Sequence, residues 1–363
     1  MKILYAIQGT GNGHLSRARE IIPLLQKKGD LDLLISGTQA DVDLPYSIKY
    51  RFKGLCFIFG KKGGVDVMAT YRKSNLKRFY TEIKSLPVEN YDLVISDFEP
   101  VSAWACRRKH KPCIGLSHQS AVIHRNAPKP SKQDLLGKAI LHHYAPVTKS
   151  YGFHFAKYSE EIFTPVIRSE IRNPVSVTKP HYTVYLPAYS DKRIIRVLSG
   201  IKNTDWQIFS KHNKKTYRDG NLHFRPIEND AFIESLVSCT GILCGAGFET
   251  PAEALHLKKK LLVIPMKGQY EQQCNAAALA VTLGVPVLKS LKEKHLDKIK
   301  TWIENPQSIP VDYPDITEQI IDLLIRENET AEKSKGLSIS DDIYSVKTLK
   351  EKSLNRILKQ SAD

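Results

Sequence analysis

The 363-residue sequence contains no apolar run close to the ~20 residues that a membrane-spanning helix needs. Its six cysteines include no Cys-x-x-Cys pair and no zinc-like cluster with histidine, which argues against a disulfide scaffold and a zinc module. The N-terminal apolar run meets glycines before any small-residue cleavage site, so it is typical of a first β-strand rather than of a signal peptide. We therefore expect a cytoplasmic, globular protein with reduced thiols.

The sequence is strongly basic, with 54 Lys and Arg against 38 Asp and Glu and a formal net charge of +16. Residues 1–163 hold 25 basic and 14 acidic residues, whereas residues 164–363 hold 29 and 24. The excess therefore lies mainly in the first part of the chain, which is the part expected to meet a negatively charged partner.

Short apolar runs alternate with amphipathic stretches along the first part of the chain. The runs are KILYAI, LDLLIS, YDLVISD and KPCIGLS. Strand followed by helix, repeated, predicts a parallel sheet covered on both faces, and uninterrupted apolar strands fit burial on both sides. The first helix is expected over residues 14–28, with Gly29 as its C-cap.

A second series of strands begins after a proline-punctuated stretch from about 150 to 180. Its expected strands are HYTVYLP, DWQIFS, LHFRPI, TGILCG, KLLVIPM and VPVL. We predict an α/β protein with two doubly wound, Rossmann-like domains facing a cleft, over residues 1–163 and 164–340. A C-terminal helix at about 341–360 is expected to pack back on the first domain. Ligands should bind at the carboxyl ends of the strands.

The first candidate site is the turn after the first strand, which reads Gly9-Thr10-Gly11-Asn12-Gly13-His14. Glycines there allow a ligand to approach the amides at the start of a helix. The dinucleotide fingerprint does not fit, because its third glycine would fall on His14 or Ser16, and no P-loop lysine follows. An imidazole at this position, with an unperturbed pKa of ~6.5, could take a proton from a hydroxyl at neutral pH. A structural histidine is the open alternative.

Two further strand ends in the first series carry polar side chains. Asp97 ends YDLVISD and could orient a histidine, or it could cap the following helix. His118 follows the apolar strand of KPCIGLS and is expected near the same cleft.

The second series contains the most informative motif, which runs from Cys244 through the glycine turn to Glu253 as CGAGFETPAE. A strand leads there into a helix whose first-turn amides are free to bind phosphate, and Glu253 could accept hydrogen bonds from a ribose. About 20 residues later, a strand ending at Pro265 precedes a helix start rich in amide side chains, which suit sugar hydroxyls. A solvated helix face is the alternative for those amides.

Together, these motifs resemble the donor half of the GT-B glycosyltransferases, and most closely the peptidoglycan N-acetylglucosaminyltransferase group of glycosyltransferase family 28. The resemblance rests on Gly247, Thr250, Glu253, Ala254, Pro265, Gln272, Gln273, Asn275 and Ala276, and on the Gly-Thr-Gly-x-Gly-His turn followed by Arg17 and Ala18. It covers nearly the whole chain. It implies an inverting, metal-independent transfer of a sugar from a nucleotide sugar, usually a UDP-sugar, to an acceptor hydroxyl, with no other cofactor.

The resemblance also implies roles for individual residues. His14 would be the base for the acceptor hydroxyl, and Asp97 stays a second catalytic candidate from its position at a strand end. Glu253 would bind the ribose, and Ile227 would lie against the nucleobase. The diphosphate and the sugar would contact Gly245, Gly247, Phe248, Glu249, Thr250, Gln272, Gln273 and Asn275. The acceptor side would comprise Gly9, Gly11, Asn12, Gly13 and His118.

Two segments depart from the family pattern. The junction often reads Asn-Pro-Val-Arg, but here Ser176 stands in the arginine's place, so Arg172 or Lys179 would have to supply the cation for the diphosphate. The first loop of the donor domain, usually rich in glycine and serine, is Pro187-Ala188-Tyr189-Ser190-Asp191.

Two other functions stay open. A UDP-sugar epimerase or hydrolase of the GT-B type would use the same donor site. A nucleic-acid-binding protein is suggested by Tyr71-Arg72-Lys73 and Lys77-Arg78-Phe79-Tyr80, although no RNA-binding module signature is present. We favour the transferase without a nucleic-acid partner. The basic excess of residues 1–163 then predicts an anionic or lipid-linked acceptor, or docking on the anionic inner face of a membrane.

Overall fold

The computed structural model of the protein describes residues 1–37, 44–55, 75–132, 134–174, 177–305 and 309–335. Contacts divide the chain into two compact units, residues 1–321 and 322–363. The first unit contains both β-sheets, so the domain boundary predicted near residue 163 falls inside it and stays a prediction. In the second unit the structure describes only the end of a helix, up to Lys335. The helix predicted at 341–360, the Tyr71-Arg72-Lys73 segment and Ser176 lie outside the described residues.

The first sheet has seven parallel strands within the described residues, in the order β3-β2-β1-β4-β5-β6-β7. They are β1 Lys2–Gln8, β2 Asp30–Ser36, β3 Tyr50–Phe52, β4 Leu93–Asp97, β5 Ile114–Ser117, β6 Lys149–Phe153 and β7 Ile162–Phe163. The chain runs outward from β1 in both directions, which leaves a crevice at the carboxyl ends of β1 and β4. Ile7 pairs with Asp97, so the turn after β1 begins level with that carboxylate.

The second sheet has six strands in the described part of the chain, in the order β10-β11-β9-β8-β12-β13. They are β8 His181–Tyr185, β9 Asp205–Phe209, β10 Tyr217–Asp219, β11 Leu222–Arg225, β12 Gly241–Gly245 and β13 Lys260–Ile264. Only the pair β10 and β11 is antiparallel. The order reverses at β8, so a second crevice lies at the ends of β8 and β12.

Helices connect most of the parallel strands, as predicted. Those in the first part of the chain are α1 Asn12–Gln26, α2 Leu76–Ser85, α3 Pro100–Arg108, α4 His118–Ile123, α5 Leu135–His143 and α6 Ser169–Arg172. Those that follow are α7 Asp191–Leu198, α8 Asn229–Ser238, α9 Glu249–His256, α10 Tyr270–Leu283, α11 Leu296–Glu304 and α12 Thr317–Lys335.

Each sheet is packed into its own apolar core. Leu4 and Val94 are buried in the first core, and Val184, Trp206 and Phe224 in the second. The strands are buried on both faces, since helices cover both sides, and this explains their uninterrupted apolar runs. The predicted α/β class with two Rossmann-like sheets is confirmed.

Three local features differ from the sequence prediction. Helix α1 ends at Gln26 with Lys27 as its C-cap, and Gly29 does not have a left-handed backbone. A Cβ atom on Gly29 would lie 2.2 Å from the Met1 carbonyl oxygen, so close packing rather than capping requires glycine there. The VPVL run forms only an isolated bridge between Val263 and Val287. The pattern also missed β3, β6, β7 and α4, because such short elements carry little periodicity.

Gly152 in β6 lets helix α4, which begins at His118, pack closely against the sheet. A Cβ atom on Gly152 would lie 2.5 Å from the Ala121 backbone nitrogen in α4. The backbone of α4 would have to shift to make room for this methyl group. We therefore expect Gly152→Ala to lower the free energy of unfolding by about 1–3 kcal/mol in urea denaturation. Gly200→Ala is the matched control, because its Cβ would have no neighbour nearer than 3.4 Å. Equal losses in the two variants would contradict the packing argument.

Candidate functional site

Two helices begin opposite one another at the carboxyl ends of the two sheets. Helix α1 follows β1, and helix α9 follows β12. A Cβ atom on Gly13 would lie 3.1 Å from Cγ of Glu249, so glycine lets the two helix starts approach closely. The N-caps are Gly11 for α1 and Phe248 for α9, and neither has a side chain that accepts a hydrogen bond from a first-turn amide. The first-turn amides of α9 therefore have no N-cap side chain as a competitor for an anionic ligand.

A cavity of about 830 Å³ lies between these helix starts. Most residues predicted as functional line it, namely Gly11, Asn12, Gly13, His14, His118, Ile227, Gly245, Gly247, Phe248, Glu249, Thr250, Glu253 and Gln272. A Cβ atom on Gly247 would meet no atom within 4 Å, which leaves space for a ligand against the backbone. The two strand-end motifs thus meet in one site.

Four predicted residues do not line the cavity. Gly9 is packed against β2, since a Cβ atom there would lie 2.8 Å from Ile35. Asp97 is fully buried behind the cavity wall. Asn275 is fully buried, and its Nδ2 donates to the Ala246 carbonyl oxygen at 3.1 Å. Gln273 is absent from the lining, whereas Gln272 is part of it.

His14 and Asp97 form a hydrogen-bonded pair. His14 Nδ1 lies 2.8 Å from Asp97 Oδ1, and His14 Nε2 lies 3.4 Å from Gln119 Nε2 on the cavity side. With Nδ1–H donating to the carboxylate, Nε2 is the nitrogen left to accept a proton. The alternative role of Asp97 as a helix cap is wrong, because Glu99 caps α3 by accepting from Val101 N and Ser102 N.

The backbone at the end of β4 is constrained. Phe98, directly after Asp97, has a φ of 55°, a left-handed conformation that a phenylalanine rarely adopts. Its ring lies 4.9 Å from the ring of Tyr144 and lines the cavity. Packing therefore holds a strained residue beside the buried carboxylate, as is often observed at functional sites.

Arg17 is buried and joins the two halves of the site. Its Nη2 donates to Asp97 Oδ1 at 2.7 Å and to Oδ2 at 2.8 Å, and its Nη1 donates to Glu249 Oε1. Burial alone would raise the pKa of Asp97, but the charges of Arg17 and His14 hold it below its ordinary value. Asp97 is therefore ionised at neutral pH. Arg17 belongs to the motif that follows the first strand, but the sequence pattern assigns it no role.

A second buried ion pair lies one turn along α9. Arg168 Nε donates to Glu253 Oε1 at 2.5 Å, and Arg168 Nη2 donates to Oε2 at 2.9 Å. Burial raises the pKa of Glu253 above its ordinary value, although the opposing charge of Arg168 limits the rise. Arg168 also donates to Asn229 Oδ1 at 3.1 Å and lines the cavity. Sequence reasoning missed Arg168, which lies in no recognisable motif.

His118 ties the first sheet to the helices of the second. Its Nε2 lies 2.8 Å from Asn275 Oδ1, its Nδ1 lies 2.8 Å from the Phe153 carbonyl oxygen, and its ring stacks on Phe248 at 3.9 Å. Burial lowers its pKa. His118 and Asn275, predicted on opposite sides of the cleft, are thus direct partners.

A carboxylate that the sequence prediction passed over lies beside Gln272. Glu271 lines the cavity, and its Oε2 accepts a hydrogen bond from Gln119 Nε2 at 3.0 Å. Gln119 in turn faces His14. In the sequence, the position of Glu271 next to Gln272 at a helix start is the feature that could have indicated it.

Apolar residues line two other parts of the cavity. Ile227, Phe232, Tyr185 and Pro187 lie at its second-sheet end. Around α5, the apolar wall comprises Phe98, Leu136, Ile140, Leu141, Tyr144 and Tyr270. The cavity therefore combines a polar centre with two apolar ends, as ligand sites commonly do.

Neither cation proposed from the junction sequence lines this cavity. Arg172 Nη1 donates to the Tyr313 carbonyl oxygen at 2.7 Å, and exposed Lys179 lies 3.4 Å from Glu234. The basic residues in the lining are Arg17, Arg19, Arg168 and Lys211. In the described residues, no helix is long and apolar enough to cross a membrane.

Comparisons with known proteins identify the family and the fold. A family model described as glycosyl transferase family 1 matches residues 1–305. No curated protein sequence shows significant similarity to the chain.

Similar solved structures include MurG of Acinetobacter baumannii, with 16% identity, a TM-score of 0.57, and coverage of 90% of this chain and 100% of that one. UGT89C1 of Arabidopsis thaliana, complexed with UDP, has 11% identity, a TM-score of 0.55 and coverage of 91% and 94%. The spinosyn rhamnosyltransferase SpnG, complexed with spinosyn aglycone, has 13% identity, a TM-score of 0.51 and coverage of 91% and 96%. These likenesses show the fold.

With the family model covering residues 1–305 and the GT-B resemblance confirmed, the chain belongs to glycosyl transferase family 1 and is a glycosyltransferase of the GT-B type.

Proposed function

We propose that the protein transfers a sugar from a nucleotide sugar, most simply a UDP-sugar, to an acceptor hydroxyl with inversion at the anomeric carbon. The observation that carries this proposal is the pair of His14 and Asp97, in which the imidazole nitrogen not bound to Asp97 faces the same cavity as the start of α9. A base and an anion-binding helix start thus share one cavity, which suits attack by a hydroxyl and departure of a diphosphate.

In the proposed reaction, His14 Nε2 takes the proton of the acceptor hydroxyl as its oxygen attacks the anomeric carbon. The bond from that carbon to the diphosphate oxygen breaks, and the diphosphate leaves with the electron pair. The ionised Asp97 holds the His14 tautomer and stabilises the imidazolium that forms. Amides at the start of α9 stabilise the departing negative charge.

The donor fits the second-sheet side of the cavity. The diphosphate would lie on the amides of Glu249 and Thr250, where Gly247 leaves space. Glu253, held by Arg168, would accept hydrogen bonds from the ribose, and Ile227 would lie against the nucleobase. The complex of UGT89C1 with UDP supports a uridine nucleotide as the first donor to test. Metal independence is proposed from the resemblance, with helix amides serving the charge that a metal would otherwise neutralise.

The acceptor would enter along α5 and the turn after β1. The apolar wall around α5 favours an acceptor with an apolar part, and the basic excess of residues 1–163 favours an anionic one. A lipid-linked phosphate or diphosphate combines both properties. An epimerase or a hydrolase would need no such wall.

We expect His14→Ala to lower kcat at least ~10²-fold, because a positioned base contributes about that factor. The assay measures nucleotide release from UDP-glucose and other nucleotide sugars, with and without a hydroxyl acceptor. Donors are first ranked by thermal shift, since a hundredfold excess over Kd stabilises by ~2.7 kcal/mol. His212→Ala, outside the cavity lining, is the control. Unchanged turnover in His14→Ala would rule out the base, and release without acceptor would indicate a hydrolase.

The positions of Gln272 and Gln273 give a second prediction. Gln272 lines the cavity and Gln273 does not. If the sugar hydroxyls bind at the start of α10, Gln272→Ala should raise KM for the donor about tenfold, which is the cost of one lost hydrogen bond of ~1.4 kcal/mol. Gln273→Ala, the matched control one residue away, should leave KM unchanged. Equal effects would contradict this placement of the sugar.

We further propose that the protein docks on an anionic membrane through a basic face of α2 and α3. This face, called the Tyr80 face, comprises Leu76, Lys77, Tyr80, Lys84, Arg107 and Arg108, all exposed. Lys84 lies 4.5 Å above the Tyr80 ring, and Arg108 Nη1 donates to the Tyr80 hydroxyl at 3.0 Å. Phe79 is buried, so the aromatic residues do not form a platform for stacked bases, which counts against nucleic-acid binding.

Sedimentation with phosphatidylglycerol-containing vesicles tests this docking. Each basic residue near an anionic surface contributes ~1 kcal/mol, so Lys77→Glu with Lys84→Glu should weaken binding about 30-fold or more. Exposed Lys202 and Lys294, both changed to Glu, make the same charge change on the second half and should leave binding nearly unchanged. Equal loss in both pairs, or preference for an oligonucleotide over vesicles, would overturn the proposal.

A further inference from the structure

Three carboxylates share two guanidinium groups at the inner end of the cavity. The carboxylates are Asp97, Glu249 and Glu253, and the guanidinium groups are Arg17 and Arg168. If all five were ionised, this buried cluster would carry one surplus negative charge. An uncompensated charge in such a place is costly, and the least supported carboxylate is the one to be neutralised.

Glu249 is the least supported of the three. Asp97 accepts several hydrogen bonds from Arg17 and one from His14, and Glu253 accepts two from Arg168. In contrast, the side chain of Glu249 has Arg17 Nη1 as its only partner within the described residues. Its side chain is 16% exposed, whereas those of Asp97 and Glu253 are 0% and 4% exposed. Glu249 therefore also has the access to water that proton exchange requires.

The location of Glu249 makes this surplus charge important for the donor. It is the first residue of α9, and its carboxylate lines the cavity beside the amides assigned to the diphosphate. A diphosphate brings two further negative charges to the same helix start. Repulsion between like charges at this distance is strong in a partly buried site, so the carboxylate and the diphosphate compete for Arg17.

The groups around Glu249 favour its protonated form at neutral pH. Burial raises its pKa to about 8, with Glu253 and Asp97 adding to the rise and Arg17 and Arg168 opposing it. Tyr5 and His14 are titratable groups that contact the same carboxylate, Asp97, through the Tyr5 hydroxyl and His14 Nδ1. A second anion beside Glu249 can only raise that pKa further.

We propose that a diphosphate-bearing donor binds at the start of α9 only beside the neutral form of Glu249, so that this carboxyl takes up a proton from solvent wherever it is ionised before binding. The protonated carboxyl no longer repels the diphosphate, and a phosphate oxygen can replace Glu249 as the acceptor of Arg17 Nη1 while Nη2 keeps Asp97. Arg17 thereby supplies the cation that the family's junction arginine supplies elsewhere. This inference rests on the proposed function, and it predicts that donor affinity falls as the pH rises.

Isothermal titration calorimetry with UDP-glucose tests the coupling. Its diphosphate has no proton to lose between pH 7 and 8.5, so any proton uptake belongs to the protein. At pH 8, titrations in phosphate, HEPES and Tris should give binding enthalpies that depend on the buffer, with uptake of about half a proton. Kd should rise about fourfold between pH 7 and 8.5.

Glu249→Gln keeps the size and the acceptor oxygen but cannot titrate. We expect it to show no buffer-dependent enthalpy, an affinity independent of pH, and tighter binding than the unchanged protein at pH 8.5. Glu234→Gln, which removes a charge from exposed α8, should keep the proton uptake. Glu249→Asn serves in the same way if circular dichroism shows Glu249→Gln to be unfolded.

The outcomes separate this inference from the proposed function. Failure of UDP-glucose and dTDP-glucose to bind at pH 7 would contradict the proposed donor site and would remove the basis of the coupling. Binding without buffer dependence, or with equal proton uptake in Glu249→Gln, would overturn the coupling and leave the donor site standing.

Thermal unfolding of the ligand-free protein gives an independent measurement. Because burial raises the pKa of Glu249 in the folded state, its contribution to stability is complete below about pH 4.5 and is lost as the pH rises to about 8. The stability of the unchanged protein relative to Glu249→Gln should therefore fall over that range and then level off. A difference that is constant with pH would contradict the titration of Glu249.

Discussion

The site depends on the buried guanidinium group of Arg17. One end of this group binds Asp97, which follows the first sheet, and the other binds Glu249, which opens a helix of the second. Burial alone would lower the pKa of Arg17, but the two carboxylates raise it, so the group stays charged. A fixed planar cation of this kind keeps Asp97 ionised and sets the distance between the two helix starts.

Near Arg17, other contacts also join the two halves. His118 bonds Asn275 and stacks on Phe248, and Gln119 bonds Glu271. Each of these contacts joins a residue directly after β5 to α10 or to the residue that precedes α9. Groups needed for base chemistry and groups suited to an anionic donor are therefore held in one hydrogen-bonded network.

The fold and much of the site could be predicted from the sequence, because parallel strands buried on both faces leave continuous apolar runs and because glycine turns mark helix starts. His14, Asp97 and Glu253 can be identified in this way, and the resemblance to the GT-B glycosyltransferases adds Phe248. Arg168, Gln119 and Glu271 were not, since each acquires its role only through a partner more than 80 residues away. Gln273 was selected with Gln272 because the two are adjacent, yet only Gln272 lines the cavity.

By itself, the sequence determined the α/β class, the two series of strands, the two glycine turns and the family, because these depend on local pattern and on the spacing of a few residues. Only the tertiary structure decided that His14 pairs with Asp97, that Glu99 rather than Asp97 caps the next helix, and that three carboxylates share two arginines. The physical reason is that the charge balance of a buried cluster depends on which groups the fold brings together. These groups come from distant parts of the sequence, so no local pattern shows that they meet.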